Sequence, residues 1–452
     1  MAFRIAMRRQ FLARMPSLTR AASTATATAT TTATAASHPD PMDGTESASI
    51  VSTSQPFMVA TYSRPAPVFV RGSGSMLYDA EDRAYLDLTG GIAVNSLGHC
   101  DPEFTRILAD QAGQLIHASN LYYNQWTGAL SKALVEHTKA SGGMHNASAV
   151  FVCNSGSEAN EAALKFARKV GKVVDPSGAK HEIVSFHQAF HGRTMGALSA
   201  TPNPKYQKPF SPMVPGHVYG TYNDVAAIDS LVTKNTCGVI VEPIQGEGGV
   251  NEGSVEFLSA LAARCRAVGA VLIYDEIQCG MARTGKLWAH SHLPPAAHPD
   301  IVTTAKALGN GFPIGATIVT ADVAAKISVG DHGTTFGGNP LASRLGHYVL
   351  GRLSDPKLLA GVEAKSALFR EQLQALQKRF PDLITEVRGK GLILGVQLTR
   401  DPARILQEAR HRGLLIITAG TNTLRITPSL TIEDSEIVRA MEILGDAIVA
   451  SL

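Results

Sequence analysis

The sequence predicts an α/β fold: a large domain with a mainly parallel β-sheet, joined by a smaller α/β layer. Two observations carry this expectation. Short apolar runs of strand type alternate with stretches of helical period, the order a parallel sheet with crossover helices requires. From about residue 345 the order changes to helical sequence first and strands after, which sets a second layer apart. The length of 452 residues suits about two or three domains at roughly 100–200 residues each.

The elements follow in order. Residues 1–20 place Phe3, Ile5, Phe11, Leu12 and Leu18 among five arginines, Arg4, Arg8, Arg9, Arg14 and Arg20. Residues 21–36 contain only Ala, Thr and Ser. A basic, acid-free, hydroxyl-rich start has the composition of a mitochondrial transit peptide, and residues 1–36 are assigned to one. Cleavage is expected between Arg20 and about Ser37, with the mature chain in the matrix. A secretory signal would need a continuous apolar core, which the arginines interrupt. Folded sequence is expected from near Phe57. Residues 37–100 and 345–452 are assigned to the smaller domain, and 101–344 to the large one.

Within the large domain the apolar runs 149–152, 183–186, 239–241 and 271–274 read as buried strands. Residues 158–169 and 254–268 read as helices. Beyond 345, helical sequence runs to about Arg379. Strands are expected at 392–397 and 414–418, and a closing helix from Ile432.

Composition excludes several classes. The chain is 44% hydrophobic and 17% charged, enough to bury a sizeable core and unlike a disordered chain or a coiled coil. No apolar run approaches the roughly 18 residues that span a bilayer, so no membrane partner is expected. Aromatics are 6%, with no basic stripe between them, which argues against nucleic acid. The net charge of +3 comes from the N-terminus: residues 40–452 carry 36 basic against 38 acidic side chains. Cys100, Cys153, Cys237, Cys265 and Cys279 form no CxxC pair, so neither a disulfide framework nor a metal site is expected.

Three local patterns suggest chemistry. Asp275 directly follows a buried-strand run, and open α/β sheets gather their sites at strand ends. There it can meet a metal, a ribose hydroxyl or a protonated ring nitrogen, or simply cap a helix. Lys306 lies among small residues before a Gly-rich turn, a setting that can lower an amine's pKa and favour a Schiff base. The run Asn154-Ser-Gly-Ser157-Glu-Ala-Asn160 opens a helix, where free backbone N–H groups favour a phosphate. Ser155 and Glu158 also have the spacing of a capping box. Two look-alikes fail. Gly280-Met-Ala-Arg-Thr-Gly285-Lys286 has P-loop spacing, but Leu287 stands where the magnesium-holding hydroxyl belongs. His187 and His191 are four apart, but Gly192 follows and no third zinc ligand is apparent. A phosphate cradle, a strand-end Asp and a later Lys together meet the needs of pyridoxal 5'-phosphate.

The ordered motifs Asn154–Asn160, Phe190-His-Gly-Arg-Thr194, Val241-Glu-Pro-Ile-Gln-Gly-Glu-Gly-Gly249, Asp275-Glu-Ile-Gln278 and Thr304-Ala-Lys-Ala-Leu-Gly-Asn-Gly311 carry a resemblance. Gly91-Ile-Ala-Val-Asn-Ser-Leu-Gly-His99, Ser119-Asn-Leu-Tyr-Tyr-Asn124, His332-Gly-Thr-Thr-Phe-Gly-Gly-Asn-Pro340, the stretch from Gly413 and Asn422-Thr-Leu-Arg425 extend it over roughly residues 57–450. The chain resembles the class III aminotransferases of fold type I, most of all the fungal mitochondrial acetylornithine branch.

The resemblance implies a fold-type-I transferase whose small domain is built from N- and C-terminal segments. It implies that Lys306 bonds to pyridoxal phosphate and that Asp275 pairs with its ring nitrogen. Gln278 then reaches the phenolic oxygen, Gly156 and Ser157 the phosphate, and Phe190 stacks on the ring. Thr335 is expected to reach the phosphate of the other subunit's cofactor, in a homodimer with shared active sites. Arg193 would grip the substrate α-carboxylate, with Thr334 and Tyr62 also facing substrate. Arg425 would bind a second carboxylate, masked by a movable Glu247. The implied reaction joins N2-acetyl-L-ornithine and 2-oxoglutarate to give N-acetyl-L-glutamate 5-semialdehyde and L-glutamate, in arginine biosynthesis. Other ω-aminotransferases, acting on ornithine or 4-aminobutyrate, share the scaffold. Ile92 lies in the neighbourhood where ornithine aminotransferases carry a Tyr that can meet the free α-amine, and an apolar side chain suits an acetylated nitrogen better. Ser157 stands where Thr is frequent, and either hydroxyl can bind phosphate.

Overall fold

The computed structural model describes residues 35–452, so nearly all of the expected transit segment lies outside the described residues. The central sheet has seven strands: β1 (Ala147–Cys153), β2 (Glu182–Phe186), β3 (His217–Gly220), β4 (Thr236–Val241), β5 (Val271–Asp275), β6 (Ile301–Thr304) and β7 (Gly315–Thr320). Their order is β1-β7-β6-β5-β4-β2-β3. Neighbours from β6 through to β3 pair in parallel. β7 alone is reversed, antiparallel to both β6 and β1.

Strands covered on both faces are mostly apolar, and every residue of β4 to β7 is buried. Alternate residues serve opposite faces. Val271 and Ile273 pack with Ala163, Phe166 and Val170 of the helix Gly156–Val174. Leu272 and Tyr274 pack with Phe257, Leu258 and Leu261 of the helix Val255–Val268. The first helix approaches the sheet closely because its inner face is largely alanine and glycine. A Cβ on Gly171 would stand 2.6 Å from Cys237 Cβ. The second helix has Ser254 as N-cap, accepting from Phe257 N, and ends at Gly269 with φ 68°.

Two four-stranded sheets accompany the central one, besides a two-stranded pair of Ile244–Gln245 with Asn251–Glu252. Phe69–Ser73, Met76–Asp79 and Ala84–Asp87 form one, to which Leu414–Leu415 adds a parallel strand beside Ala84–Asp87. Ile384–Lys390, Ile393–Leu398, Thr423–Ile426 and Ile417–Ala419 form the other. The helices Pro356–Arg379 and Asp434–Ser451 bury apolar faces in the same core as this sheet.

Three expectations change. Ordered packing begins before Phe57: His38 N donates to the His411 carbonyl at 2.9 Å, and a helix follows at Glu46–Ser54. Its anchor is polar: Ser47 donates from N and Oγ to Glu81 at 2.8 and 2.7 Å. A reading based on apolar periodicity misses such a contact. The helical stretch after 345 is two helices, Pro340–Leu353 and Pro356–Arg379, because Asp355 caps a new start and Pro356 takes its first position. The strand expected at 414–418 divides between two sheets.

The P-loop look-alike has a structural role. Arg283 is fully buried, and its guanidinium donates to the Leu392 and Pro428 carbonyls and to Ser96 Oγ. Burial lowers this guanidinium to about 9.

Candidate active site

The carboxyl ends of the parallel strands meet along one edge of the sheet and bound a cavity of about 310 Å³. This is where an open α/β sheet presents its loops to a ligand. β1 delivers Asn154–Ser157, β2 leads to Phe190, β4 to Glu242, β5 ends in Asp275, and β6 leads to Lys306. The reversed β7 contributes from its amino end through Pro313 and Ile314.

At one end of the cavity lies the start of the helix Gly156–Val174. Ser155 caps it, accepting from Glu158 N at 3.2 Å. The Glu158 carboxylate reaches past the cap to Asn154, taking its N and Nδ2 at 3.1 and 2.8 Å. Capping therefore does not exclude an anion at this helix start. The N–H groups of Gly156 and Ser157 sit in the first turn, where the helix offers them no acceptor. A Cβ on Gly156 would come within 2.8 Å of Ile277 Cδ1, so glycine keeps this approach open.

At the other end, Asp275 is fixed by three donors. Its Oδ2 accepts from Asn160 Nδ2 and His191 Nδ1, both at 2.8 Å, and its Oδ1 from Ile277 N at 3.1 Å. No helix follows it, so the capping alternative falls away. His191 meets Asp275 through Nδ1, and its buried Nε2 has no partner.

Lys306 follows β6 with φ 39°, a conformation costly for a non-glycine residue and one found at functional sites. Burial, reinforced by the Arg425 charge, lowers its amine to about 8. A neutral amine is the form that attacks a carbonyl. Hydrogen-bond donors for a phosphate, a fixed carboxylate and this amine fit pyridoxal phosphate, with Phe190 and Ile277 supplying apolar walls.

Arg425 approaches from the C-terminal sheet. It is 2% exposed, and its Nη2 lies 2.9 Å from Glu247 Oε2. Its Nη1 donates to Gln278 Oε1 at 3.0 Å, and its buried Nε has no partner. Arg193 is exposed and outside the cavity lining, 3.9 Å over the Tyr206 ring and 5.6 Å from that of Phe190. Thr334 Oγ1 accepts from Asn154 Nδ2 at 3.1 Å.

Six of the sequence-derived residues line the cavity itself: Gly156, Ser157, Phe190, Asp275, Gln278 and Lys306. Thr335 is exposed and absent from the lining, and Tyr62, 71% exposed, borders a separate cavity by the helix Glu46–Ser54. Ile92 is 44% exposed. It sits in a left-handed turn, Gly90–Ala93, whose four φ values lie between 53° and 65°. Val94, just beyond, walls the cavity. Sequence reasoning missed Asn160, Ile277 and Glu242 and gave His191 no role. Each acts through a partner distant in the chain.

Comparison with known proteins bears on this site. The sequence profile of the family Aminotransferase class-III matches residues 58–448. A protein of Neurospora crassa named acetylornithine aminotransferase, mitochondrial, is 65% identical over 99% of this chain and 98% of its own length. The crystal structure of N-acetylornithine aminotransferase from Stenotrophomonas maltophilia is 36% identical with a TM-score of 0.75, covering 88% of this chain and 98% of that one. Ornithine aminotransferase from Toxoplasma gondii is 32% identical with a TM-score of 0.83, covering 89% and 95%.

Proposed function

The chain belongs to the class III aminotransferases, and we propose that it transfers the δ-amino group of N2-acetyl-L-ornithine to 2-oxoglutarate. The products are N-acetyl-L-glutamate 5-semialdehyde and L-glutamate, a step of arginine biosynthesis. It is a pyridoxal-phosphate enzyme of α/β, fold-type-I architecture. The names of its relatives and the composition of residues 1–36 support a mitochondrial location, in the matrix.

The cofactor supplies an aldehyde that accepts the amino group and a ring that disperses charge from the reacting carbon. This chain supplies the rest. Gly156 and Ser157 hold the phosphate. Asp275, oriented by Asn160 and His191, offers an acceptor for the ring-nitrogen proton. Gln278 serves the phenolic oxygen and Phe190 covers one face. Lys306 Nζ would take up and return the proton of the substrate's reacting carbon. Its amine, lowered to about 8, loses and regains a proton near neutral pH.

The observation that carries the substrate reading is the Arg425–Glu247 pair at 2.9 Å. One site must accept a ω-amine with its carboxylate far from the reaction, and also glutamate with a carboxylate at each end. Exposed Arg193 suits the α-carboxylate of acetylornithine, with Thr334 nearby. Arg425 masked by Glu247 is closed to that substrate, and unmasked it takes a glutamate carboxylate. Apolar Ile92 is compatible with an acetylated nitrogen.

Thr335 is read as serving the partner's site in a homodimer. Its exposure in the single chain supports this, as do the exposed apolar side chains of Leu121, Tyr122 and Phe336 in the 115–123 and 332–336 segments. The test is a single-turnover titration followed by cofactor absorbance, with acetylornithine and ornithine in parallel. Faster conversion by acetylornithine, reversed by 2-oxoglutarate, supports the assignment. Faster conversion by ornithine would replace the substrate and keep the chemistry.

A further inference from the structure

Glu242 has no part in the roles above, yet it lines the cavity and is 4% exposed. Its Oε1 accepts from Phe190 N at 2.9 Å and its Oε2 from Gly246 N at 3.2 Å. The two donors come from different loops. One loop carries Phe190 and Arg193. The other carries Glu247, the residue after Gly246. By accepting from both, this side chain holds the two loops in register.

The backbone around Glu247 is tied on every side. Gly246 is pressed against Gln278, whose side chain lies 2.2 Å from where a Cβ would be. Gln278 in turn accepts from Arg425. Beyond Gly246, the Glu247 carbonyl accepts from Gly420 N at 2.7 Å. The Glu247 side chain is 35% exposed while its partner Arg425 is 2% exposed. Fixed backbone and a partly exposed side chain leave one freedom, rotation about the side-chain bonds.

We propose that Glu242 is a positioning residue for substrate alternation: by holding the Gly246 amide, it fixes the backbone from which the Glu247 side chain rotates on and off Arg425. This rests on the reading that Glu247 masks Arg425. Burial is the main force that pushes the Glu242 carboxyl up to about 7, and the nearby His191 opposes it. Glutamine cannot replace it fully, because one of its two terminal atoms is a donor and would face an N–H.

The test compares wild-type holoenzyme, Glu247→Ala, Glu242→Gln and the double variant. Each half-reaction is timed by cofactor absorbance, and the quantity read is kcat/KM for acetylornithine divided by that for glutamate. Cofactor Kd, from fluorescence quenching of the apoprotein, is measured alongside. Glu247→Ala should lower the ratio at least about tenfold. Glu242→Gln should lower it about fivefold or more, move cofactor Kd by less than about threefold, and add nothing to Glu247→Ala in the double variant. If Glu247→Ala lowers the ratio while Glu242→Gln leaves it unchanged, or the two effects multiply, the proposal is overturned and the masking reading stands. If Glu247→Ala leaves the ratio unchanged, the masking reading itself falls. Should Glu242→Gln fail to hold cofactor, Glu242→Asp goes through the same cycle with the same criteria, its carboxylate one methylene too short to span both amides.

Discussion

Asn160 donates from Nδ2 to Asp275 Oδ2 at 2.8 Å, across 115 residues of sequence. The same nitrogen reaches the His191 carbonyl at 2.7 Å, and the Asn160 oxygen accepts from Thr303 Oγ1 at 2.8 Å. One fully buried side chain thus joins the helix after β1, the loop after β2, and strands β5 and β6. Asn160→Ala would leave several buried polar groups unpaired, at about 1–3 kcal/mol for each that finds no water. The expected outcome is destabilisation of about 2–4 kcal/mol in urea unfolding. The rate of the acetylornithine half-reaction should also fall about 10- to 100-fold as Asp275 loses its orientation. An unchanged rate at reduced stability would make Asn160 structural only.

Replacing Lys306 tests the chemistry directly. Lys306→Ala should abolish turnover and the absorbance of the lysine-bound cofactor, because no other amine lines the cavity among the described residues.

The same lysine predicts a pH dependence of the apoprotein. Its amine is lowered from 10.5 to about 8, by burial first and the Arg425 charge second. Between those values the unfolded chain holds a proton that the folded chain does not, so stability rises with pH across that window. Below about 8 the cost of the buried charge is present in full. The whole rise is of order 3 kcal/mol. It should vanish in Lys306→Met, as read from urea midpoints at pH 7.5, 9 and 10.5.

Arg193 has little packing to lose beyond its stack on Tyr206. Arg193→Ala should raise KM for acetylornithine about 10- to 100-fold and leave the cofactor bound. Wild-type affinity in this variant would remove Arg193 from the substrate site.

Thr335→Ala should weaken cofactor binding about 10- to 100-fold, the order expected for one lost hydrogen bond to a charged group. It should leave the molecular mass in solution at that of a dimer. A monomer that binds cofactor as tightly as wild type would refute the shared site.

Much of this architecture is legible in the sequence, for a physical reason. Strands buried on both faces are written as unbroken apolar runs. The residues at their carboxyl ends, Asp275 and Lys306 among them, stand beside those runs in the chain. Asn160, His191 and Glu242 leave no such mark. An Asn inside a helix or a Glu before a proline looks ordinary until the sheet order brings it to its partner. The helix break at Ser354–Pro356 did have a local signal, an Asp cap followed by proline, which the longer helical period obscured. The start at Glu46 had none, because Ser47 and Glu81 hold it through polar contacts rather than an apolar stripe.

The pairing of Leu414–Leu415 with Ala84–Asp87 constrains how the chain can fold. A polypeptide that emerges amino end first has its N-terminal sheet strands early, but the strand that completes the sheet comes more than three hundred residues later. Until then one edge of Ala84–Asp87 is an open template for pairing with another chain. The large sheet, nearly all of it between residues 147 and 320, can close in the meantime. Completion of the N-terminal sheet therefore waits until residues 414–415 have been made, and removing residues 414–452 should yield a protein that aggregates rather than a smaller enzyme.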